Sequence, residues 1–262
     1  MNTEKVTAYI VNWLKDYAVN AKMKGFVLGV SGGIDSGVTS TLCAMTGLQT
    51  LCVEMPIHQG QSQISRAQEH IFQLKNRFPN VSDTRIDLTP VFEQFKSQTP
   101  KVTDNSLLEL SLANTRSRLR MTTLYYLSSL HRYLVAGTGN KVEDFGVGFY
   151  TKYGDGGVDI SPIADLLKSE VYEVGRYVKV PSSILKAAPT DGLFGDSRTD
   201  EDQLGASYDE LEWAMKMQDG GKTAGDFSGR EKTVFELYLS MRKANKHKMN
   251  PIPVCEIPLK LR

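Results

Sequence analysis

The chain has 262 residues, 40% of them hydrophobic, and a formal net charge of +1 at pH 7. This balance gives no general attraction to nucleic acid or to an anionic membrane, so any anion must be bound locally. The length allows one large α/β domain or two small ones, and we expect the simpler arrangement, a single domain over residues 1–262.

Cysteine usage and the N-terminal segment predict the compartment. Cys43, Cys52 and Cys255 are far apart and form no CxxC pair, and Cys43 and Cys52 lie in apolar segments. We therefore expect buried thiols in a reducing compartment. Residues 3–18 mix charged and apolar side chains at helical spacing, unlike a secretory leader, and no segment approaches membrane-spanning length. These features predict a cytoplasmic protein.

Strands and helices alternate along the chain. Predicted strands cover residues 26–30, 50–55, 84–88 and 133–137. Predicted helices cover residues 3–18, 36–45, 62–78 and 106–130, with a short helix that opens at Pro90. This order predicts an α/β fold with a mainly parallel sheet and helices on both faces. In such sheets ligands bind at the carboxyl ends of the strands.

A glycine turn, SGGIDS at residues 31–36, joins the first strand to the next helix. Gly32 and Gly33 can adopt positive φ, so successive backbone N–H groups can converge on an anion beside the helix N-terminus. A Walker loop needs a lysine after its second glycine, whereas this turn provides Asp35, an oxygen ligand suited to a cation. We predict a phosphate-binding loop in which Asp35 binds Mg²⁺. The alternative is an ordinary strand–helix turn capped by Ser31 or Asp35.

The segment GTGNKVE at residues 137–143 follows the fourth predicted strand. Thr138 offers a hydroxyl group and Glu143 a hard oxygen ligand. Because Glu143 should emerge at the same sheet edge as Asp35, the two carboxylates can bind one Mg²⁺. A solvated carboxylate is the alternative for Glu143.

Three arginines lie in the long predicted helix. Arg116 and Arg120 are four residues apart and share a face, whereas Arg118 points elsewhere. A solvated basic surface is one interpretation. The other assigns Arg118 to an anionic group of a ligand, because guanidinium pairs bidentately with phosphate or carboxylate.

The remaining segments carry weaker predictions. We interpret TKYGDGGVD at residues 151–159 as an exposed turn. Lys168 should lie near the beginning of a helix that follows Pro162. Residues 190–209 are rich in acidic side chains and glycine, which predicts a mobile lid or a disordered acidic loop.

Taken together, the motifs resemble those of one enzyme family. SGGIDS, NTRSRLRM, GTGNKVED, FYTKYGDGGVDISPIADLLKSEV and APT, followed by His247 and Lys248, occur in the order and spacing of the NAD synthetases, a group of the ATP pyrophosphatases. The resemblance touches nearly the whole chain. GMP synthetase and the tRNA thiolation enzymes would share only the first motif.

The resemblance implies a Rossmann-like fold of the ATP pyrophosphatase type and a role for individual residues. Asp35 and Glu143 would bind Mg²⁺, and Lys168 would join them as a catalytic residue. The implied ATP-binding residues are Gly29, Val30, Ser31, Gly32, Gly33, Ile34, Asp35, Ser36, Thr138, Lys168 and Thr190. The implied contacts with deamido-NAD⁺ are Arg118, Lys152, Asp159, His247 and Lys248.

The implied reaction is ATP-dependent amidation of deamido-NAD⁺ with ammonia, through an acyl adenylate, to give NAD⁺, AMP and pyrophosphate. The resemblance also implies a homodimer with substrate sites at the subunit interface, and we expect no nucleic-acid or membrane partner. A glutaminase domain does not fit into 262 residues that the synthetase already occupies, so we expect free ammonia, or ammonia from a separate protein, as the nitrogen source.

Two positions depart from the family pattern. Glu54 stands where many members have arginine, and residues 247–249 read HKM where many members have HKR. Two other functions stay open: another adenylylating amidotransferase, and a nucleotide sensor that binds ATP or NAD⁺ without turnover.

Overall fold

The computed structural model describes residues 1–100, 102–190 and 199–262. Within these residues four parallel strands form a sheet in the order β3, β2, β1, β4. The strands are β1 Gly25–Gly29, β2 Gln49–Glu54, β3 Val81–Arg85 and β4 Tyr133–Val135. The parallel α/β fold predicted from the sequence is therefore confirmed.

Ten α-helices, together with shorter helical segments, complete the described part of the chain. The α-helices are α1 Thr3–Asn20, α2 Ile34–Met45, α3 Gln61–Arg77, α4 Thr89–Gln98, α5 Asn105–His131, α6 Lys168–Tyr177, α7 Ser182–Leu185, α8 Asp200–Leu204, α9 Tyr208–Asp219 and α10 Gly229–Met249. A π-helical segment covers Val142–Val147, and 3₁₀ turns cover Ala224–Asp226 and Leu259–Leu261.

Side chains of β1 alternate between the two faces of the sheet and so define two layers of core. Phe26 and Leu28 pack into a cluster with α1, α2 and α6. Val27 packs on the opposite face with residues such as Phe92 and Leu127 of α4 and α5. Since helices cover both faces, we expect ligands to bind at the carboxyl edge of the sheet.

Strand β3 differs from the prediction. It covers Val81–Arg85, so it begins and ends three residues earlier than the predicted strand at 84–88. This strand lies at the edge of the sheet and exposes most of its side chains, so its hydrophobic pattern is weak. The apolar residues Ile86 and Leu88, which suggested the later range, follow the strand, and Leu88 packs in the core beside α4.

The acidic segment at residues 190–209 also differs from the prediction. The described part, from residue 199, folds into α8 and the start of α9 rather than a loop. Its acidic side chains cap helices: Thr199 pairs reciprocally with Asp202, and Ser207 with Glu210. Residues 191–198 lie outside the described part of the chain, and the predicted lid stays a prediction there.

The cysteines agree with the sequence-based expectation. Cys43 and Cys52 are buried free thiols, and Cys255 is exposed. Burial raises the pKa of Cys52 to about 12 and raises that of Cys43 as well, so both thiols stay protonated and unreactive at neutral pH. Among the described helices, none has both the length and the apolar character that a membrane span requires.

Candidate active site

The side chain of Ser36 forms hydrogen bonds with the backbone of the turn between β1 and α2. Ser36 Oγ accepts from the Ser31 backbone N–H at 3.3 Å and donates to the Gly33 carbonyl at 3.0 Å. Gly32 adopts φ +82°, and a Cβ there would lie 2.6 Å from the carbonyl oxygen of Gln63. Glycine is therefore required both by the backbone conformation and by the contact with α3.

Several backbone donors of this turn are available to a ligand. Within residues 1–100, 102–190 and 199–262, the N–H groups of Gly32, Ile34 and Asp35 have no hydrogen-bond partner. Ile34 and Asp35 begin α2, so their N–H groups are among the four that an α-helix leaves unpaired at its N-terminus. The turn thus presents bare amides and a positive helix end to an anion.

Two cavities adjoin the turn at the carboxyl edge of the sheet. The smaller, of about 140 Å³, is lined by residues 31–36 together with Thr138, Glu143, Lys168 and Thr190. The larger, of about 250 Å³, is lined by Gly29, Val30, Ser31, Thr138 and Thr190, and it extends past the end of β2. Every residue predicted to bind ATP therefore lines at least one of the two cavities.

Two carboxylates and one ammonium group meet in the smaller cavity. Lys168 Nζ lies 2.6 Å from Asp35 Oδ2 and 3.0 Å from Glu143 Oε1. The side chain of Lys168 is 3% exposed, and those of Asp35 and Glu143 are 18% and 16% exposed. The three residues begin or follow separate elements, α2, β4 and α6, that the parallel sheet brings to one edge.

The environment shifts the protonation of this cluster. Burial alone lowers the pKa of Lys168, but the charges of Asp35 and Glu143 outweigh it, so the pKa lies above its usual value. Burial raises the pKa of Asp35 against the opposing charge of Lys168. Burial also opposes ionisation of Glu143, but Lys168 and the Tyr208 hydroxyl hold its pKa below the usual value. Lys168 is thus a fixed cation.

The two acids fit a divalent cation. Their oxygens already converge on one positive charge, and carboxylate oxygens are the ligands that Mg²⁺ prefers. Among the described residues no group of three or more His, Cys, Asp or Glu side chains could hold a metal by itself. Mg²⁺ commonly uses one or two carboxylates and completes its shell with water and phosphate, so a two-acid site suits it.

Asn140 and Tyr208 belong to the site and were not predicted from the sequence. Asn140 Nδ2 donates to Asp35 Oδ1 at 3.0 Å, while its Oδ1 accepts from the backbone N–H groups of Val142 and Glu143. An asparagine ahead of a helical segment is a capping signal that could have pointed to this position. Tyr208 Oη donates to Glu143 Oε1 at 2.6 Å, although the two residues are 65 positions apart in the sequence. No local sequence pattern predicts this contact.

Arg116 and Arg120 of α5 do not form a solvated basic surface, whereas Arg118 is exposed. Arg116 lies over the ring of Phe92 at 4.3 Å, and Arg120 Nε donates to the Met55 carbonyl at 3.1 Å. The expectation that these two share a face while Arg118 points elsewhere is correct. Arg118 instead donates to the Lys152 carbonyl, at 3.3 Å from Nη2.

Four of the five predicted substrate contacts lie together on the surface. Lys152 Nζ donates to the His247 carbonyl at 2.7 Å, and Arg118 contacts Lys152. Lys248 Nζ donates to the carbonyls of Gly148 and Tyr150. These cations bind backbone carbonyls, which leave their charge unneutralised and available to an anionic ligand.

Asp159 lies apart from that cluster. Its carboxylate accepts from the Val135 backbone N–H at 2.8 Å and from the Tyr125 hydroxyl at 3.0 Å. It also borders a separate groove beside Trp13 and Tyr17. The structure therefore gives Asp159 a role in anchoring β4, and its predicted contact with substrate stays a prediction.

The segment at residues 151–159 is more than an exposed turn. The Asp155 carboxylate accepts from Ser117 Oγ at 2.6 Å and from the Thr151 backbone N–H at 3.0 Å, which ties the turn to α5. Asp155 lines both cavities. Glu54, the position that departs from the family pattern, lines the larger cavity at the end of β2.

A parallel sheet with an amide-lined glycine turn and a pair of acids at its carboxyl edge defines a nucleotide-binding protein of the ATP pyrophosphatase type. The family model of NAD synthase matches residues 6–252. An NH(3)-dependent NAD(+) synthetase from Carboxydothermus hydrogenoformans is 34% identical over 260 residues, 99% of either chain. The chain belongs to the NAD synthase family, and the predictions of family, fold class and ligase activity are confirmed.

Two solved structures resemble this one over almost its whole length. An NMN synthetase from Francisella tularensis has a TM-score of 0.85 and 32% identity, covering 98% of this chain and all of that one. An NH3-dependent NAD synthetase from Campylobacter jejuni has a TM-score of 0.78 and 25% identity, with the same coverage. The two proteins are named for different products, NMN and NAD, so the comparison leaves two candidate substrates for this chain.

The Tyr208 hydroxyl should matter for turnover. Tyr208→Phe removes a hydrogen bond to a charged carboxylate, worth roughly 1.5–3 kcal/mol, and should lower kcat about tenfold or more. Because Tyr208 holds the pKa of Glu143 down, the acid limb of the pH–rate profile should also move to higher pH. Pyrophosphate release at several pH values measures both effects.

The matched control is Tyr238→Phe. The Tyr238 hydroxyl donates to Gln218 Oε1, in the packing between α9 and α10. This variant should keep the wild-type kcat and pH profile. Equal effects of the two substitutions would show that Tyr208 acts only through general packing.

Proposed function

We propose that this chain is an ammonia-dependent NAD⁺ synthetase that amidates the nicotinate carboxylate of deamido-NAD⁺ at the expense of ATP. The observation that carries the proposal is the convergence of Asp35 and Glu143 on one cation beside the bare amides of the glycine turn. A binding module has little use for two acids that face the same point. An enzyme that cleaves ATP needs such a point for its metal-bound phosphates.

The glycine turn would hold the β and γ phosphates of ATP. Its free amides lie at the N-terminus of α2, where an anion is stabilised without the cost of reorganising solvent. The larger cavity adjoins the turn and runs past Glu54 and Met55, which leaves room for the adenosine. This orientation would put the α phosphorus between the turn and the open part of the cleft.

The nicotinate carboxylate is a poor electrophile, so ammonia cannot displace its oxygen directly. When the carboxylate attacks the α phosphorus, the bond from phosphorus to the bridging oxygen breaks and pyrophosphate leaves with the electron pair. Mg²⁺ bound by Asp35 and Glu143 would neutralise phosphate charge. Lys168, which stays protonated, would stabilise the same charge. Ammonia then attacks the acyl carbon, the bond from that carbon to the AMP oxygen breaks, and AMP leaves while the nitrogen loses a proton to solvent.

The nicotinate and its attached nucleotide would bind at the cationic cluster. Arg118 and Lys152, together with Lys248 at the C-terminal end of α10, supply positive charge, and each of them donates to a backbone carbonyl. Such a cluster suits the phosphates of a dinucleotide. Lys248 contributes a partly buried ammonium to the same region.

The assay of Asp35→Ala tests the role of the acid pair. The variant should keep its fold, because Lys168 retains Glu143 as a partner, and should lose pyrophosphate release by about 10²-fold or more. The substrates are ATP, Mg²⁺, ammonia and deamido-NAD⁺, and circular dichroism checks the fold. Asp165→Ala, which removes a 96% exposed carboxylate, is the matched control and should stay active. Near-wild-type rates in Asp35→Ala would remove the metal assignment.

A second candidate substrate is nicotinate mononucleotide. The specific observation in its favour is the greater similarity to the NMN synthetase structure, with 32% rather than 25% identity and a TM-score of 0.85 rather than 0.78. Both substrates carry the same carboxylate and differ only by an adenylate group. The chemistry at the glycine turn is therefore the same for both.

Competition between the two substrates decides this point. We expect kcat/KM for deamido-NAD⁺ to exceed that for nicotinate mononucleotide at least tenfold, since the cationic cluster can bind the second phosphate. The measurement is initial-rate AMP formation with each substrate under identical conditions. A ratio inverted in favour of the mononucleotide would reassign the chain as an NMN synthetase.

We further propose a cytoplasmic, single-domain homodimer that uses free ammonia. Exposed apolar side chains on α5, including Leu107, Leu110, Tyr126 and Leu130, support a partner surface. Light scattering should give about twice the 29.1 kDa of one chain. Leu130→Asp should shift the mass towards one chain, whereas Asp165→Ala should not. A monomeric wild-type protein at micromolar concentration would contradict the dimer.

A further inference from the structure

Arg66 lies in the second turn of α3 and contacts the glycine turn. Its Nε donates to the Gly32 carbonyl at 3.2 Å. A Cβ on Gly32 would also lie 3.1 Å from the Ala67 nitrogen and 3.2 Å from Arg66 Cβ. The glycine turn therefore packs directly on this part of α3, with no intervening side chain.

The guanidinium group of Arg66 is used only in part. Within residues 1–100, 102–190 and 199–262, its Nη1 and Nη2 atoms have no hydrogen-bond partner, and it forms no ion pair. The residue is half-buried and lines the smaller cavity. A clamp on one carbonyl needs a single donor, whereas arginine supplies five in a planar fork that matches phosphate.

The charge balance of the smaller cavity points the same way. Its lining includes four acids, Asp35, Glu143, Asp155 and Asp200, but only two bases, Arg66 and Lys168. Lys168 is already bound between two carboxylates. Among the described residues that line this cavity, Arg66 is therefore the cation that is not committed to an acid, and an anion entering there would be drawn to it.

We propose that Arg66 binds the β and γ phosphates of ATP and then the pyrophosphate formed from them, which deepens the function proposed above and rests on it. When the bond to the α phosphorus breaks, the bridging oxygen keeps the electron pair and pyrophosphate gains negative charge. The free N–H groups of Arg66 donate hydrogen bonds to these oxygens. No proton or covalent bond is transferred to the arginine.

Arg66 also fixes the turn that binds the same group. Because its Nε donates to the Gly32 carbonyl, Arg66 restrains the backbone that carries the unpaired amide N–H groups. Arg66 would thus stabilise the conformation of the turn and bind the phosphate groups that the turn holds. A purely structural arginine would affect phosphate binding only through the shape of the turn, whereas the proposed one also contacts the phosphate oxygens.

Calorimetric titration with magnesium pyrophosphate tests the proposal without any need for turnover. Arg66→Met should weaken the binding of pyrophosphate about 10- to 100-fold relative to wild type, as expected for loss of a charge-assisted pair, and should leave the binding of AMP within about twofold. Arg66→Lys keeps the positive charge but loses the planar, bidentate donor group, so its affinity for pyrophosphate should lie between those of the wild type and Arg66→Met. Melting temperatures verify that each variant is folded.

Lys75→Met is the control on the same helix, because Lys75 pairs with Asp83 near the end of α3. It should bind pyrophosphate like the wild type. The role of Arg66 would be overturned if Arg66→Met bound pyrophosphate within about threefold of wild type, or if AMP binding fell equally. Failure of the proposed function would appear separately, as wild-type protein that binds pyrophosphate but forms no AMP from ATP and deamido-NAD⁺.

Discussion

The whole arrangement depends on one buried ammonium group. Lys168 Nζ lies between the carboxylates of Asp35 and Glu143, and each of the three charges is largely withdrawn from water. Desolvating such charges costs several kcal/mol per ion, and the attraction between them offsets this only when the geometry is good. With two acids and one base the cluster keeps a net negative charge. A cluster built for stability would balance its charges, whereas this one is suited to receive a further cation.

The parallel sheet explains how distant residues meet at this point. β1 lies between β2 and β4, so the glycine turn after β1 and the segment after β4 emerge side by side. Past β4 the ladder continues through a bridge between Ala136 and Ile160, where the Gly137 backbone N–H donates to the Ile160 carbonyl at 2.7 Å. That bridge leads the chain back towards the first residue of α6, Lys168. Topology, rather than local sequence, thus determines the spacing of the charges.

The sequence allowed much of the geometry of the candidate site to be predicted, because the glycine turn and the acids carry local chemical patterns. Glycines that need positive φ, an acid at a helix start and alternating strands and helices are all legible in a single chain. Tyr208 was missed because its contact with Glu143 depends on how α9 packs, which no short pattern encodes. The prediction of a loop from residue 199 to 209 was wrong because Asp202 and Glu210 cap the helices α8 and α9.

In the proposed function the amides after β1 hold the β and γ phosphates of ATP, while Asp35 and Glu143 bind the metal ion of the nucleotide. The most direct measurement is a crystal structure with Mg²⁺ and an ATP analogue whose α–β bridge is a methylene group. We expect the β and γ phosphates within hydrogen-bonding distance of the Gly32 and Ile34 amides, and a metal ion bound to both carboxylates. A triphosphate bound elsewhere, with Lys168 still enclosed by the two acids, would contradict the account.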